Sequence, residues 1–181
     1  MLGFFKKANK KESEQIAQLS KLSGQQLAEE GLNQIASAIK ARSIEIQPGK
    51  LFDDIYCHGD KPAGVPRFTY VMFSPTVQNE VIARCTIIYD SQKNGLSCWQ
   101  IDWAVLEQYR RKNFGGTIAK KAITEFVNGM QNIMPNGFII EAIVDQENEA
   151  SKKIANELIG NEEIILDENT GRNVHSYLRK F

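Results

Sequence analysis

The spacing of apolar positions changes period along this chain, and those changes predict its elements. From Glu12 to Ala41, Ile16, Leu19 and Leu22 share one helical face, and after Ser23-Gly24 the stripe resumes with Leu27, Leu32, Ile35 and Ile39, joined by Ala28, Ala36 and Ala38. This predicts two helices, or one with a break. An apolar stripe needs only a core to bury against, so a packing or partner-binding helix is as good a reading as a site-lining one. Ser43 to Tyr56 carries Ile44, Ile46 and Leu51 around Pro48-Gly49, a short strand and a turn. From Phe68 the period shortens to two. Phe68–Phe73 and Val81–Tyr89 read as a hairpin turned by Ser74-Pro75 and Asn79, and Asp90–Gly95 reads as a second turn leading into Ser97–Val105.

The next stretch organises the rest. Ile101, Trp103 and Val105 alternate with Asp102 and Ala104, as in a strand buried mostly on one face. A turn follows with three cations, Arg110, Arg111 and Lys112, then Asn113, Phe114, Gly115, Gly116 and Thr117. Ile118, Ala119, Ala122, Ile123 and Phe126 then recur at helical spacing, so a helix starts near Gly115. The first turn of a helix leaves N–H donors without partners, and its dipole favours an anion there. Glycines admit a close ligand, Asn113 tolerates positive φ, and the cations suit a diphosphate. The plainer alternative is a basic turn capping an ordinary core helix.

Downstream, Phe138, Ile139, Ile140, Ala142, Ile143 and Val144 form an apolar run of strand length. A polar Asp145–Glu147 follows, and Ile154, Ala155, Leu158 and Ile159 suggest an amphipathic helix ending at Gly160. Glu163 to Phe181 reads as a closing hairpin around Asp167–Gly171.

Composition narrows the function. A chain of 181 residues, 42% hydrophobic and 24% charged, suits one soluble domain, with 1–66 as a helical segment plus first strand and loop joined to a core at 67–181. Its 22 basic and 22 acidic residues cancel, which argues against nucleic acid or a membrane as partner. Met1–Lys10 lacks a signal-length apolar run, position 2 is not glycine, and no stretch reaches membrane-span length, so a cytoplasmic protein is expected. Cys57, Cys85 and Cys98, with His58 and His175, show no metal-ligand spacing; no metal and reduced thiols are expected. Cys57-His58-Gly59-Asp60 places a thiol beside an imidazole, but the following Pro62, Gly64 and Pro66 make it read as a surface loop.

Arg110 to Gly115, with Trp103-Ala104-Val105 and Gln108-Tyr109 before it, resembles the R/Q-x-x-G-x-G/A acetyl-CoA loop of the GNAT superfamily of N-acetyltransferases, departing from it at Asn113. Glu141 to Ser151, reading EAIVDQENEAS, is similar to the strand, Asn and helix of the branch containing ribosomal-protein N-terminal acetyltransferases. The resemblance covers roughly Arg67 to Phe181. It implies a mixed, mostly antiparallel α/β (α+β) sheet flanked by helices, with a splay between two strands that holds acetyl-CoA as cosubstrate, and first helices on the acceptor side. It also implies direct attack of a primary amine, a protein or peptide N-terminus or a small-molecule amine, on the thioester. Residues Arg110 to Thr117 would hold the diphosphate, a backbone N–H near Ala104 to Leu106, Val105 included, would polarise the carbonyl, and Asn148 would contact pantetheine, unless it only starts a helix. The Tyr with which many relatives protonate the thiolate is replaced by Ala155, which leaves Ser151 as candidate acid or mere helix cap. Glu141 and Asp102 are the candidate bases, strand parity deciding which faces the cleft. A homodimer is among the assemblies left open. Two other readings compete: a catalytically silent acyl-CoA-binding module, and an interaction protein whose basic turn binds a phosphorylated partner.

Overall fold

The structure, a computed structural model, describes residues 23–167 and 171–181; the helical stripe expected before Ser23 and the tip of the last hairpin lie outside them. Three helices are described: α1 (Gly24–Lys40), α2 (Phe114–Met130) and α3 (Glu149–Leu158). They flank one sheet built from β1 (Gln47–Pro48), β2 (Ile55–Asp60), β3 (Arg67–Phe73), β4 (Val81–Lys93), β5 (Leu96–Val105), β6 (Ile139–Asp145), β7 (Glu162–Asp167) and β8 (Arg172–Lys180). The spatial order is β1-β2-β3-β4-β5-β6-β8-β7, and every neighbouring pair is antiparallel except β5 and β6. Those two are joined through α2, as parallel neighbours require a crossover rather than a hairpin.

Alternation along β5 distributes the core. Trp99, Ile101, Trp103 and Val105 face α2 and α3, packing with Ile118, Ala122, Phe126 and Ala155. Ala104 faces the other way and packs with Val71 and Val81 beneath Ala28 and Leu32 of α1. The helices therefore cover opposite faces, α1 on one and α2 with α3 on the other. Ser23 caps α1 in a reciprocal capping box with Gln26. Gly31 lies mid-helix in α1 because the Arg84 guanidinium packs against it: a Cβ there would come within 2.8 Å of Arg84 Cζ.

Three local expectations are corrected. Cys57–Asp60 is not a loop but most of β2, paired residue for residue with Arg67–Tyr70, and Asp60 accepts two hydrogen bonds from Arg67 (2.9 and 2.6 Å). Strand alternation turns Cys57 and His58 to opposite faces, and burial pushes the Cys57 thiol up to about 11 despite a hydrogen bond from Tyr70, so the pair is no nucleophile and base. Asp90–Lys93 continues β4 past a bulge near Tyr89, and the turn shrinks to Asn94-Gly95, both with positive φ (53° and 76°) as a tight hairpin needs. The strand expected before Tyr56 is only the two residues of β1.

Candidate functional site

Strands β5 and β6 pair only where Cys98, Trp99 and Gln100 meet Ile139, Ile140 and Glu141. Beyond that point they part. The rest of β5 stays on β4 and the rest of β6 on β8, which opens a cleft of ≈ 1010 Å³ between them. Gly24, Gln25, Ala28 and Glu29 of α1 line it on one side of the sheet, and the first turns of α2 and α3 on the other.

Ladder geometry identifies which backbone groups face this opening. The Leu106 N–H is bound to the Ile82 carbonyl at 2.9 Å, and antiparallel alternation turns Ala104 toward β4 in the same way. Trp103 and Val105 therefore turn their backbone groups toward the splay, and the Val105 carbonyl there accepts from Arg110 Nε at 3.2 Å. This refines the expectation for Ala104: it lines the cleft, but its amide faces β4.

The turn before α2 is built from two left-handed residues, Arg111 (φ 60°) and Asn113 (φ 61°). Asn113 is the N-cap yet makes no side-chain cap, and the first helical amide to find a carbonyl is Thr117, bound to Asn113 at 3.0 Å. The amides of Phe114, Gly115 and Gly116 precede that ladder, and all three residues line the cleft. Gly115 and Gly116 have ordinary helical backbone; their value is space. A Cβ on Gly115 would meet Ile154 Cδ1 at 3.2 Å and Val105 Cγ2 at 3.6 Å, and one on Gly116 would meet Asn113 Oδ1 at 2.9 Å. The three cations differ in use. Arg110 is tied to Glu29 of α1 at 2.8 Å, Lys112 lies over the Tyr109 ring at 5.5 Å, and Arg111 is an exposed cation on the cleft wall.

The two candidate bases share the sheet face that carries α1, but only Asp102 reaches the cleft. Its side chain is 46% exposed and ion-paired with Arg84, which is itself buried and also donates to Thr86 and to the Ala28 carbonyl at 3.1 Å. Desolvation pushes the Asp102 carboxyl up, outweighing the opposing pull of Arg84 and Arg67. Glu141 corrects the expectation of a cleft-facing base. It lies at the closed end of the strand pair, 3% exposed, gripped by Lys93 (2.7 and 2.6 Å) and by the Ser176 hydroxyl at 2.9 Å.

Asn148 caps α3, its Oδ1 accepting from the Ser151 N–H at 3.1 Å. The cap is thus Asn148 and not Ser151, which is among the residues that line the cleft at the first turn of α3. Ala155 is fully buried in the core. Sequence reasoning missed Arg84, which looks like one more alternating strand residue, and Glu29, whose partner is 81 positions away. Gly31 inside a helical stripe was the one available signal for the first.

No family model matches the sequence, and no curated protein matches it. Solved structures do. One is an acetyltransferase of the GNAT family from Streptococcus pneumoniae, at TM-score 0.47 and 11% identity over 64% of this chain and 66% of that one. A ribosomal-protein-S5-alanine acetyltransferase from Vibrio fischeri matches at TM-score 0.45 and 13% identity over 63% of this chain and 61% of that one. RimJ of Mycobacterium smegmatis, in complex with CoA-disulfide, matches at TM-score 0.44 and 19% identity over 63% of this chain and 53% of that one. In each case this chain spans less than two thirds of the other protein's length.

Proposed function

We propose that the chain is an acetyl-CoA-dependent N-acetyltransferase acting on a primary amine. The observation that carries this reading is the alignment of two features: a splay between parallel strands, and a helix start at its mouth whose Phe114, Gly115 and Gly116 amides are left outside the helical ladder. A pantetheine arm is narrow, extended and amide-bearing, as a missing strand is, and it fits an opening edged by the backbone of Trp103 and Val105. A diphosphate fits the free amides and the Arg111 side chain.

In this reading the amine enters from the α1 side and attacks the thioester carbonyl directly. The Val105 N–H polarises that carbonyl, and Asp102 accepts the ammonium proton, directly or through a water. As the C–N bond forms and the C–S bond breaks, Ser151 gives its proton to the departing thiolate and takes back the one released by the acylated nitrogen. The acceptor is a protein or peptide N-terminus, by the sequence likeness to ribosomal-protein acetyltransferases, or a small-molecule amine. Asp102 suits the base because desolvation raises its affinity for a proton. A second reading, an acyl-CoA-binding module without transfer, is favoured by one observation: the position where a Tyr acid would stand is the buried Ala155.

Calorimetric titration with acetyl-CoA, beside desulfo-CoA and the Gly115→Glu variant, tests the first step. The expected result is binding that Gly115→Glu weakens by more than about 100-fold, since the new side chain brings bulk and negative charge onto the free amides. Thiol release with amines or peptide N-termini then separates transferase from silent module. Absence of binding by the folded protein at millimolar acetyl-CoA would overturn both.

A further inference from the structure

The two tryptophans differ in one atom's circumstances. Trp99 is 3% exposed and its indole N–H donates to Ser97 Oγ at 3.1 Å. Trp103, four residues on and pointing to the same face, lines the cleft, and its Nε1 is buried without a hydrogen-bond partner. An indole nitrogen can only donate, and a buried donor left unpaired carries the full loss of its hydration. Among the described residues only two buried side-chain polar atoms lack a partner, and the other belongs to Arg84, whose remaining nitrogens are well bound.

Position gives this orphan its meaning. Trp103 sits on the part of β5 that has lost its β6 neighbour. Its Cδ1, the carbon bonded to Nε1, lies 3.9 Å from where a Gly115 Cβ would be, between the first turn of α2 and Ile154 of α3. The indole edge is thus in the corner where the strand opening meets the free amides of α2. A group arriving there between the anion-holding turn and the strand gap must bring an acceptor oxygen to satisfy it.

We infer that the Trp103 indole N–H is a ligand-recognition donor, bonding a carbonyl or phosphate oxygen of the segment that joins the diphosphate to the pantetheine arm. This rests on the acetyl-CoA reading above and extends it to a specific side chain. Trp103 then positions the cosubstrate and takes no proton in the reaction. An acceptor oxygen brought to that corner gives the orphaned donor its partner.

The test replaces Trp103 with β-(3-benzothienyl)alanine, which keeps shape and area but exchanges N–H for sulfur, with Trp103→Phe as a genetically encoded companion. Coenzyme A and desulfo-CoA are titrated by calorimetry, and thermal unfolding is followed without ligand. The expected result for the benzothienyl variant is about three- to tenfold weaker binding of both ligands, with an unfolding midpoint equal to or above wild type. The same replacement at Trp99 is expected to do the opposite, lowering the midpoint and leaving affinity unchanged. Unchanged affinity in the Trp103 variant, with wild type binding normally, would overturn the inference alone. Failure of wild type to bind either ligand would instead remove the acetyl-CoA reading on which it rests.

Discussion

One pair of strands behaves in two ways along its length. At the closed end, Cys98–Gln100 and Ile139–Glu141 are bonded to each other, and the acidic side chain there is sealed by Lys93 and Ser176. At the open end, Trp103 and Val105 keep β4 on one side but have no β6 partner on the other, and the acidic side chain there, Asp102, stands half exposed in the cleft. Both carboxylates lie on the same sheet face and both are ion-paired. Depth along the strand pair, and not parity or charge, separates a group that holds the sheet together from one that can meet a substrate.

The contrast can be broken from either end. Asp102→Asn is expected to lower kcat/KM for amine acetylation by about 10²- to 10⁴-fold, the usual range for removing a positioned base, with little change in acetyl-CoA affinity. Because desolvation on the cleft wall raises the Asp102 pKa even though the side chain reaches the cleft, the acid limb of the kcat/KM profile should lie above the ordinary aspartate range and vanish in the variant; initial rates across pH check both points. At the closed end, Lys93→Met strips the cation from a buried carboxylate and should cost about 3 kcal/mol of stability in denaturant unfolding, while acetyl-CoA binding to the folded fraction stays unchanged. Asn148→Ala removes the α3 cap and should cost about 1 kcal/mol, with weaker cosubstrate binding because the first turn of α3 lines the cleft. The smallest effect belongs to Arg67→Gln on the far strand. The Arg67 hydrogen bond holds the Asp60 carboxyl below its usual range, so the pair contributes above the ordinary aspartate pKa and its contribution is lost as pH falls through the depressed value. For this partly solvated pair the loss near neutrality should be under about 1 kcal/mol, shrinking in acid, as unfolding at a series of pH values would show.

The elements that carry this contrast are legible in the sequence, but the point where the strand pair ends is not. Period-two alternation through Ile101, Trp103 and Val105 and the helical stripe from Ile118 to Phe126 rest on local burial, and both elements form as read. Asn113 was legible because few residues tolerate positive φ. Arg111 adopts the same conformation without any preference for it, so nothing announced it. The glycines read as room for a close ligand, and space is indeed their value, but the contact of Gly115 with Ile154 comes from another helix and has no local signal. Glu141 and Asp102 looked equivalent because local pattern carries no information about where a strand pair ends. Likewise Cys57–Asp60 reads as a loop because Pro62, Gly64 and Pro66 follow it, and only the six-residue pairing of β2 with β3 makes it a strand.

The most direct test of the account is an amide chemical-shift map of the ¹⁵N-labelled protein titrated with coenzyme A. The prediction is that the largest changes fall on Trp103, Val105 and Phe114 to Gly116, while Cys98–Gln100 and Ile139–Glu141 stay nearly still. Changes concentrated at the closed end, or spread evenly over the sheet, would contradict the claim that the opening between β5 and β6 is where the ligand sits.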